Sequence, residues 1–188
     1  MPLSGRGLRG SALEEIINMT NEAYREEGVA VIQKIPTPIV PVEMNSDTHI
    51  ITKAYFDRKS TVDYIGVMDG IALCFDAKET GKPYLPFSNI HPHQVAFMKD
   101  FVQGGGLAFL LVHFTYCGRF FLLPLETLLS FYDHPEGRHS VPLESFNERY
   151  EIGAPCPELP YLSVAYQYYL DTQTARDNKT CQNEENSL

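Results

Sequence analysis

Only Asp69-Gly70 separates two strand-like runs, Thr61 to Met68 and Ile71 to Glu79. Asp-Gly favours the two-residue turn of mirror-image type, whose twist matches that of paired strands, so the two runs close into a hairpin with one register. Counting outward from the turn, Met68 faces Ile71 and Asp63 faces Asp76. Facing side chains on neighbouring strands are about 4.5 to 5.5 Å apart at Cβ, where two carboxylates repel unless a cation compensates. Lys78, two residues past Asp76, shares their face through the period of two along a strand.

The residues around this hairpin build the rest of a layered domain. Ser11-Ala-Leu-Glu14 has capping-box spacing and opens a helix to about Glu27. Its buried stripe is Leu13, Ile16, Ile17, Thr20 and Tyr24, with Glu14, Asn18, Asn21 and Arg25 on one flank and Glu15 turned to solvent. Val29 to Lys34 reads as a strand broken by Pro36-Thr37-Pro38, and Ile39 to Met44 and His49 to Phe56 as two more. Pro92 to Gln103 has helical spacing in Val95, Met98, Phe101 and Val102, ended by three glycines. Leu107 to Phe114 and Arg119 to Leu123 are strands about a Cys117-Gly118 turn, and Leu125 to Tyr132 and Tyr161 to Leu170 are helices. The polar, aperiodic stretch from Thr172 to Leu188 is expected to be a disordered tail. This order describes an α/β fold, one mixed β-sheet flanked by helices.

Composition narrows the class. With 188 residues, 44% hydrophobic and 21% charged, the chain has material for one core. No apolar run approaches the roughly 18 residues of a membrane span, and Met1 to Gly10 lacks a signal core, so the expected location is cytoplasmic with no membrane contact. Cys74, Cys117, Cys156 and Cys181 are scattered without a C-x-x-C pair, which points to neither a zinc site nor a disulfide framework. A net charge of −9 argues against generic phosphate binding. The excess is uneven, with nine basic and twelve acidic residues in 1–82 but six and twelve in 83–188.

Two converging acids and a lysine suit a hard divalent cation, Mg²⁺ or Mn²⁺, which keeps waters and accepts phosphate oxygens as further ligands. That is the apparatus of phosphodiester hydrolysis, in which Lys78 orients water or neutralises a phosphate oxygen. Glu14 is better placed than Glu15 to add a third acid, although a capping-box role competes for its carboxylate. Taken alone, so short a triplet is more often a solvated hairpin with an ordinary salt bridge. His91-Pro92-His93 reads as a helix start with a DNA-contact role, not a metal pair; Cys74 has no His near in sequence to activate it; Tyr161, Tyr166, Tyr168 and Tyr169 read as helix packing.

Lys34-Ile-Pro-Thr-Pro38, Ala54-Tyr-Phe56, Ser60-Thr-Val-Asp-Tyr-Ile-Gly66, Phe75-Asp-Ala-Lys-Glu-Thr80 and His93-Gln94 occur in that order. Together they resemble the RecU family of Holliday-junction resolvases, over about Arg9 to Leu170. The resemblance implies a restriction-endonuclease-like fold carrying the PD-(D/E)xK arrangement, with Mg²⁺-dependent cutting and Mn²⁺ able to substitute. It assigns catalysis to Asp63, Asp76 and Lys78 and metal binding to Asp63, Asp76 and Glu14. Gln94, at the start of the second helix, falls beside the metal-bound water or the DNA backbone. Asp76 stands where the family pattern usually has Glu, one methylene longer. About 39–62 correspond to a β stalk that projects into the open junction, with Lys53, Tyr55, Phe56, Arg58 and Lys59 as DNA contacts and Arg9 and Lys34 as further ones. The implied organisation is a flexible arm (1–10), a single nuclease domain (11–171) and the polar tail (172–188).

The same resemblance implies symmetric paired nicking of four-way junction DNA by a homodimer in recombination and repair. A RecA-type recombinase and a RuvB-type branch-migration motor are its implied partners. Phe109 to Phe114 and Phe120 to Leu123 supply apolar surface for the core or the dimer contact. Two other readings compete: a restriction or repair nuclease on linear duplex, and a non-catalytic junction-binding protein that modulates a recombinase.

Overall fold

The computed structural model describes residues 12–56, 61–133 and 139–185. The arm 1–10 with Arg9, the cap Ser11, and Arg58 and Lys59 lie outside the described residues.

Helix α1 (Ala12–Glu26) buries Leu13, Ile17 and Thr20, as the wheel predicts, together with Asn21. Five strands follow: β1 (Ala30–Lys34), β2 (Ile39–Met44), β3 (Ile51–Phe56), β4 (Tyr64–Met68) and β5 (Ile71–Thr80). A short β6 (Tyr84–Pro86) leads to α2 (Pro92–Gln103), β7 (Leu107–Phe114), β8 (Arg119–Pro124) and α3 (Leu125–Tyr132). Short strands β9 (Ser140–Pro142) and β10 (Glu151–Ile152) precede α4 (Tyr161–Glu185). The polar stretch from Thr172, expected as an irregular tail, continues α4 to Glu185. It contains no Gly or Pro to stop the helix, and α4 is already nucleated by its packed first turns.

The central sheet runs β1-β4-β5-β7-β8-β10. Only β5 and β7 are parallel among these pairs, and α2 makes the crossover between them. The β4–β5 hairpin closes as predicted, with Met68 opposite Ile71 and Tyr64 opposite Phe75. Its turn needs two left-handed residues, and Asp69 and Gly70 supply φ of 49° and 78°.

Each face of the sheet carries its own core. On one face Tyr64, Leu73, Phe75, Phe109, Leu111 and Leu122 pack under α1 and α4. On the other, Cys74, Ala108, Leu110, Val112, Phe121 and Leu123 pack under α2 and α3. Coverage of both faces explains why β7 and β8 are almost continuously apolar. Phe109 to Phe114 and Phe120 to Leu123 are thereby core, save the half-buried His113. Tyr64, Phe75 and Phe109, aligned across three strands, stack with centroids 4.8 and 5.1 Å apart.

β2 and β3 form a separate two-stranded ribbon, bulged between Pro41 and Met44. Ile39, Val42, Met44, Ile51 and Tyr55 on it are exposed, so it has no core of its own. The ribbon begins where the stalk was expected, and its described part ends at Phe56. β3 starts at Ile51, not His49, because Asn45 Oδ1 accepts the N–H groups of Asp47 and Thr48 in a turn and His49 takes a φ of 57°.

Candidate active site

The aromatic stack sits one residue from the acid pair. Tyr64 opposite Phe75 makes Asp63 and Asp76 the next facing positions, and the alternation of side chains turns them to the α2 face. The strand pairing has already loosened here, since Val62 joins the same α2-face core as Cys74. The Ile35 N–H, just past β1, donates to the Asp63 carbonyl at 2.8 Å and holds this end of the sheet.

The two carboxylates brace each other's strands. The Asp63 N–H donates to Asp76 Oδ1 at 2.7 Å, and the Ala77 N–H donates to Asp63 Oδ2 at 3.1 Å. One oxygen of each carboxylate lies outside this reciprocal arrangement. Asp76 is fully buried, and its Oδ2 accepts no hydrogen bond among the described residues. The Lys78 ammonium stands 3.3 Å from that oxygen, within ion-pair range but without hydrogen-bond geometry. Burial pushes the Asp76 carboxyl up to about 7, opposed by Lys78 and reinforced by the Asp63 charge. Lys78 also donates to Gln94 Oε1 at 3.2 Å, so the lysine links β5 to the first turn of α2.

Two of the expected metal-site acids meet, and the third does not join them. The Glu14 carboxylate is ion-paired with Lys34 of β1 at 2.5 Å. Among the described residues no three His, Cys, Asp or Glu side chains are grouped to hold a metal ion. The physical reason is the nearer cation: Lys34 ends the strand that packs against α1 and satisfies the half-buried carboxylate. Lys34, expected as a DNA contact, is therefore an intramolecular partner in the free protein. The donor set still fits a hard divalent cation. Two carboxylates, one of them with a buried oxygen that accepts no hydrogen bond among the described residues, offer the hard oxygen ligands such an ion takes, and it completes its shell with water and phosphate.

On the ribbon, Lys53 faces Glu43 with their charges 3.7 Å apart, and Tyr55 is exposed. His91 and His93 stack with ring centroids 5.4 Å apart at the α2 start. Cys74 is buried, and burial, with Asp76 beside it, raises its thiol far above the ordinary range, so it is no nucleophile. Tyr161 and Tyr168 are buried packing residues, while Tyr166 is exposed. The Lys78–Gln94 bond was not read from sequence; the signal available was a polar residue on the apolar, sheet-facing side of α2.

Among the described residues no helix is long and apolar enough to cross a membrane. The family model of Recombination protein U matches residues 8–167. The Holliday junction resolvase RecU of Streptococcus pneumoniae serotype 19F (strain G54) is 40% identical over 172 residues, which is 88% of this chain and 87% of the relative. The protein of the same description from strain R6 is equally similar. The solved Hjc Holliday junction resolvase of Archaeoglobus fulgidus aligns over 73% of this chain and 91% of its own, with a TM-score of 0.46 and 12% identity. Matched by the family model from residue 8 to 167 and 40% identical to those relatives, the chain belongs to the RecU family.

Proposed function

We propose that this chain is a Mg²⁺-dependent endodeoxyribonuclease that resolves Holliday junctions by symmetric paired nicking in recombination and repair. The observation that carries the reading is the braced Asp63–Asp76 pair with its buried, unbonded Asp76 Oδ2 beside Lys78. Burying a carboxylate oxygen without a donor is costly, and a bound cation relieves that cost. The names of the curated relatives point to the substrate, a four-way junction.

Asp63 and Asp76 would hold Mg²⁺, or Mn²⁺ in its place. The ion supplies Lewis-acid polarisation of the phosphate and acidification of water. Lys78 neutralises charge that grows on the phosphate oxygens as water attacks phosphorus and the P–O bond to the leaving strand breaks. The reciprocal backbone bonds keep the two carboxylates in place as this happens. Glu14 adds a third acid once junction phosphates draw Lys34 away. The exposed ribbon, with Lys53 and Tyr55, enters the junction opening, where Phe56, Arg58 and Lys59 add contacts and Arg9 engages a flanking arm. A two-fold homodimer places two sites on the two strands that must be cut. By the same resemblance the enzyme works in the cytoplasm with a RecA-type recombinase and a RuvB-type motor.

A synthetic four-way junction tests this directly. Paired nicks are expected with Mg²⁺, none with chelator, and none with Asp76→Asn. Faster cutting of linear duplex than of junction in competition would favour a restriction or repair nuclease. Tight junction binding with no cutting in Mg²⁺ or Mn²⁺ would select the non-catalytic reading.

A further inference from the structure

The position of Lys78 is not set by its β-strand alone. A lysine beside a buried, unbonded carboxylate oxygen has an obvious resting place, hydrogen-bonded to it at about 2.7 to 2.9 Å. Here the ammonium lies 3.3 Å from Asp76 Oδ2, an ion-pair distance without hydrogen-bond geometry, and its hydrogen bond goes to Gln94 Oε1 at 3.2 Å. Gln94 is itself 5% exposed, the third residue of α2 and on the side of the helix that also buries Val95 and Met98. The same Oε1 accepts the His91 N–H at 3.3 Å, so the helix N-terminus fixes the side chain. Both partners are donors, which leaves only the carbonyl oxygen to face them and turns the amide NH₂ away.

From this geometry we infer that Gln94 is a positioning residue that holds the Lys78 ammonium off Asp76. It keeps Asp76 Oδ2 free of a lysine hydrogen bond, so that a cation entering the site can take that oxygen, and leaves Lys78 beside the reacting phosphate. The inference rests on the nuclease reading above and gives Gln94 a role different from contact with DNA or metal-bound water. Without the amide oxygen, Lys78 closes onto Asp76 Oδ2 and blocks the oxygen that the reading requires. A neutral acceptor suits this task, because it orients the ammonium without cancelling its charge.

Gln94→Met keeps the length and apolar stem but lacks the acceptor, and Gln94→Glu keeps an acceptor for both donors. The first measurement needs no cleavage: the rate of acetylation of Lys78 by acetic anhydride, followed by mass spectrometry in metal-free full-length protein. It should fall several-fold in Gln94→Met, where the ammonium closes onto the buried Asp76 carboxylate; an unchanged or faster rate in Gln94→Met overturns the inference. The second pairs single-turnover nicking in Mg²⁺ with affinity for a fluorescein-labelled four-way junction in EDTA. Gln94→Met should slow nicking by about 10- to 100-fold, the equivalent of one charge-assisted hydrogen bond, with junction affinity unchanged. Gln94→Glu should recover part of that rate. An affinity loss matching the rate loss would make Gln94 a DNA contact, and equal rate losses in both variants would remove the acceptor's role; either result overturns the proposal. Wild-type protein that shows the labelling pattern but never nicks would refute the nuclease reading and leave the Gln94–Lys78 contact standing.

Discussion

Asp76 carries opposed demands: the proposed reaction asks its carboxylate to be a ligand, yet the fold buries it completely and no donor among the described residues reaches Oδ2. Its folded-state pKa, about 7, lies above the ordinary 3.8, so the protonated form is the one that folding favours. The resulting stabilisation is complete below the unfolded value and disappears as pH rises through the folded value. Metal-free protein should therefore lose stability between about pH 4 and pH 7, by an amount on the order of a few kcal/mol. Asp76→Asn removes the titrating group, so urea denaturation in EDTA should find the variant more stable than wild type at pH 8 and no more stable at pH 4. Mg²⁺ should raise the stability of wild type at pH 8 and leave the variant unchanged, because only wild type keeps the ligand. Flat wild-type stability across this range would refute the account of Asp76. A second residue-scale expectation concerns Lys34, which occupies Glu14 in the free protein. Lys34→Met should weaken junction binding measured in EDTA, because it removes a cation that junction phosphates can draw away from Glu14.

At the scale of elements, the site depends on three strands keeping register. Gly66 of β4 faces Ile32 of β1, and a Cβ there would lie 2.4 Å from the Val31 carbonyl oxygen and 2.7 Å from Ile32 Cα. Backbone cannot swing aside as a flexible side chain does, so Gly66→Ala must push β1 off the sheet edge. The expected cost is about 1 to 3 kcal/mol by chemical denaturation, with hydrogen-exchange protection lost first in β1. Phe75 is the middle ring of the three-strand stack beside the acids. Phe75→Leu should cost about 1 to 3 kcal/mol and slow nicking beyond what the change in folded fraction explains, since the Asp63–Asp76 register loosens. These dependencies divide what was legible in the sequence from what was not. The hairpin register was readable because Asp-Gly admits one tight turn, and the α1 stripe because apolar side chains repeat at helical spacing. Asn21 was misplaced on a flank because its burial is justified by the Tyr161 hydroxyl, which donates to it from α4. No local pattern encodes that contact. β6, β9 and β10, two or three residues each, are too short for a period to show. The last turns of α4 were missed because a polar helix lacks the apolar repeat that marks a buried one. Gln94 was visible as part of a family motif, but its partner Lys78 could be identified only once α2 was laid on β5.

For the whole molecule, the difficulty is binding a polyanion with a net charge of −9 and fifteen lysines and arginines. Among the described residues at least six of these, away from the acid pair, are in ion pairs, including Lys34 and Lys53. Each such residue reaches a phosphate only by exchanging a carboxylate for it, so the protein's own acids compete with the junction. The competition is sharpest on the ribbon, where Glu43 faces Lys53 and both are largely exposed. Glu43→Gln should therefore tighten junction binding, by about two- to fivefold, since an exposed pair is worth a few tenths to about 1 kcal/mol. The gain should shrink as salt rises from about 50 to 200 mM, because exposed charges are screened over about a Debye length. In the proposed homodimer the change would occur twice, which favours the upper part of that range. Glu158→Gln, an equal change of net charge located beside α1 and the start of α4, serves as the control. If both variants tighten binding equally, total charge governs affinity and the ribbon has no special contact with DNA. If only Glu43→Gln does so, and nicking per bound junction is unchanged, the ribbon is where the acidic protein meets the junction.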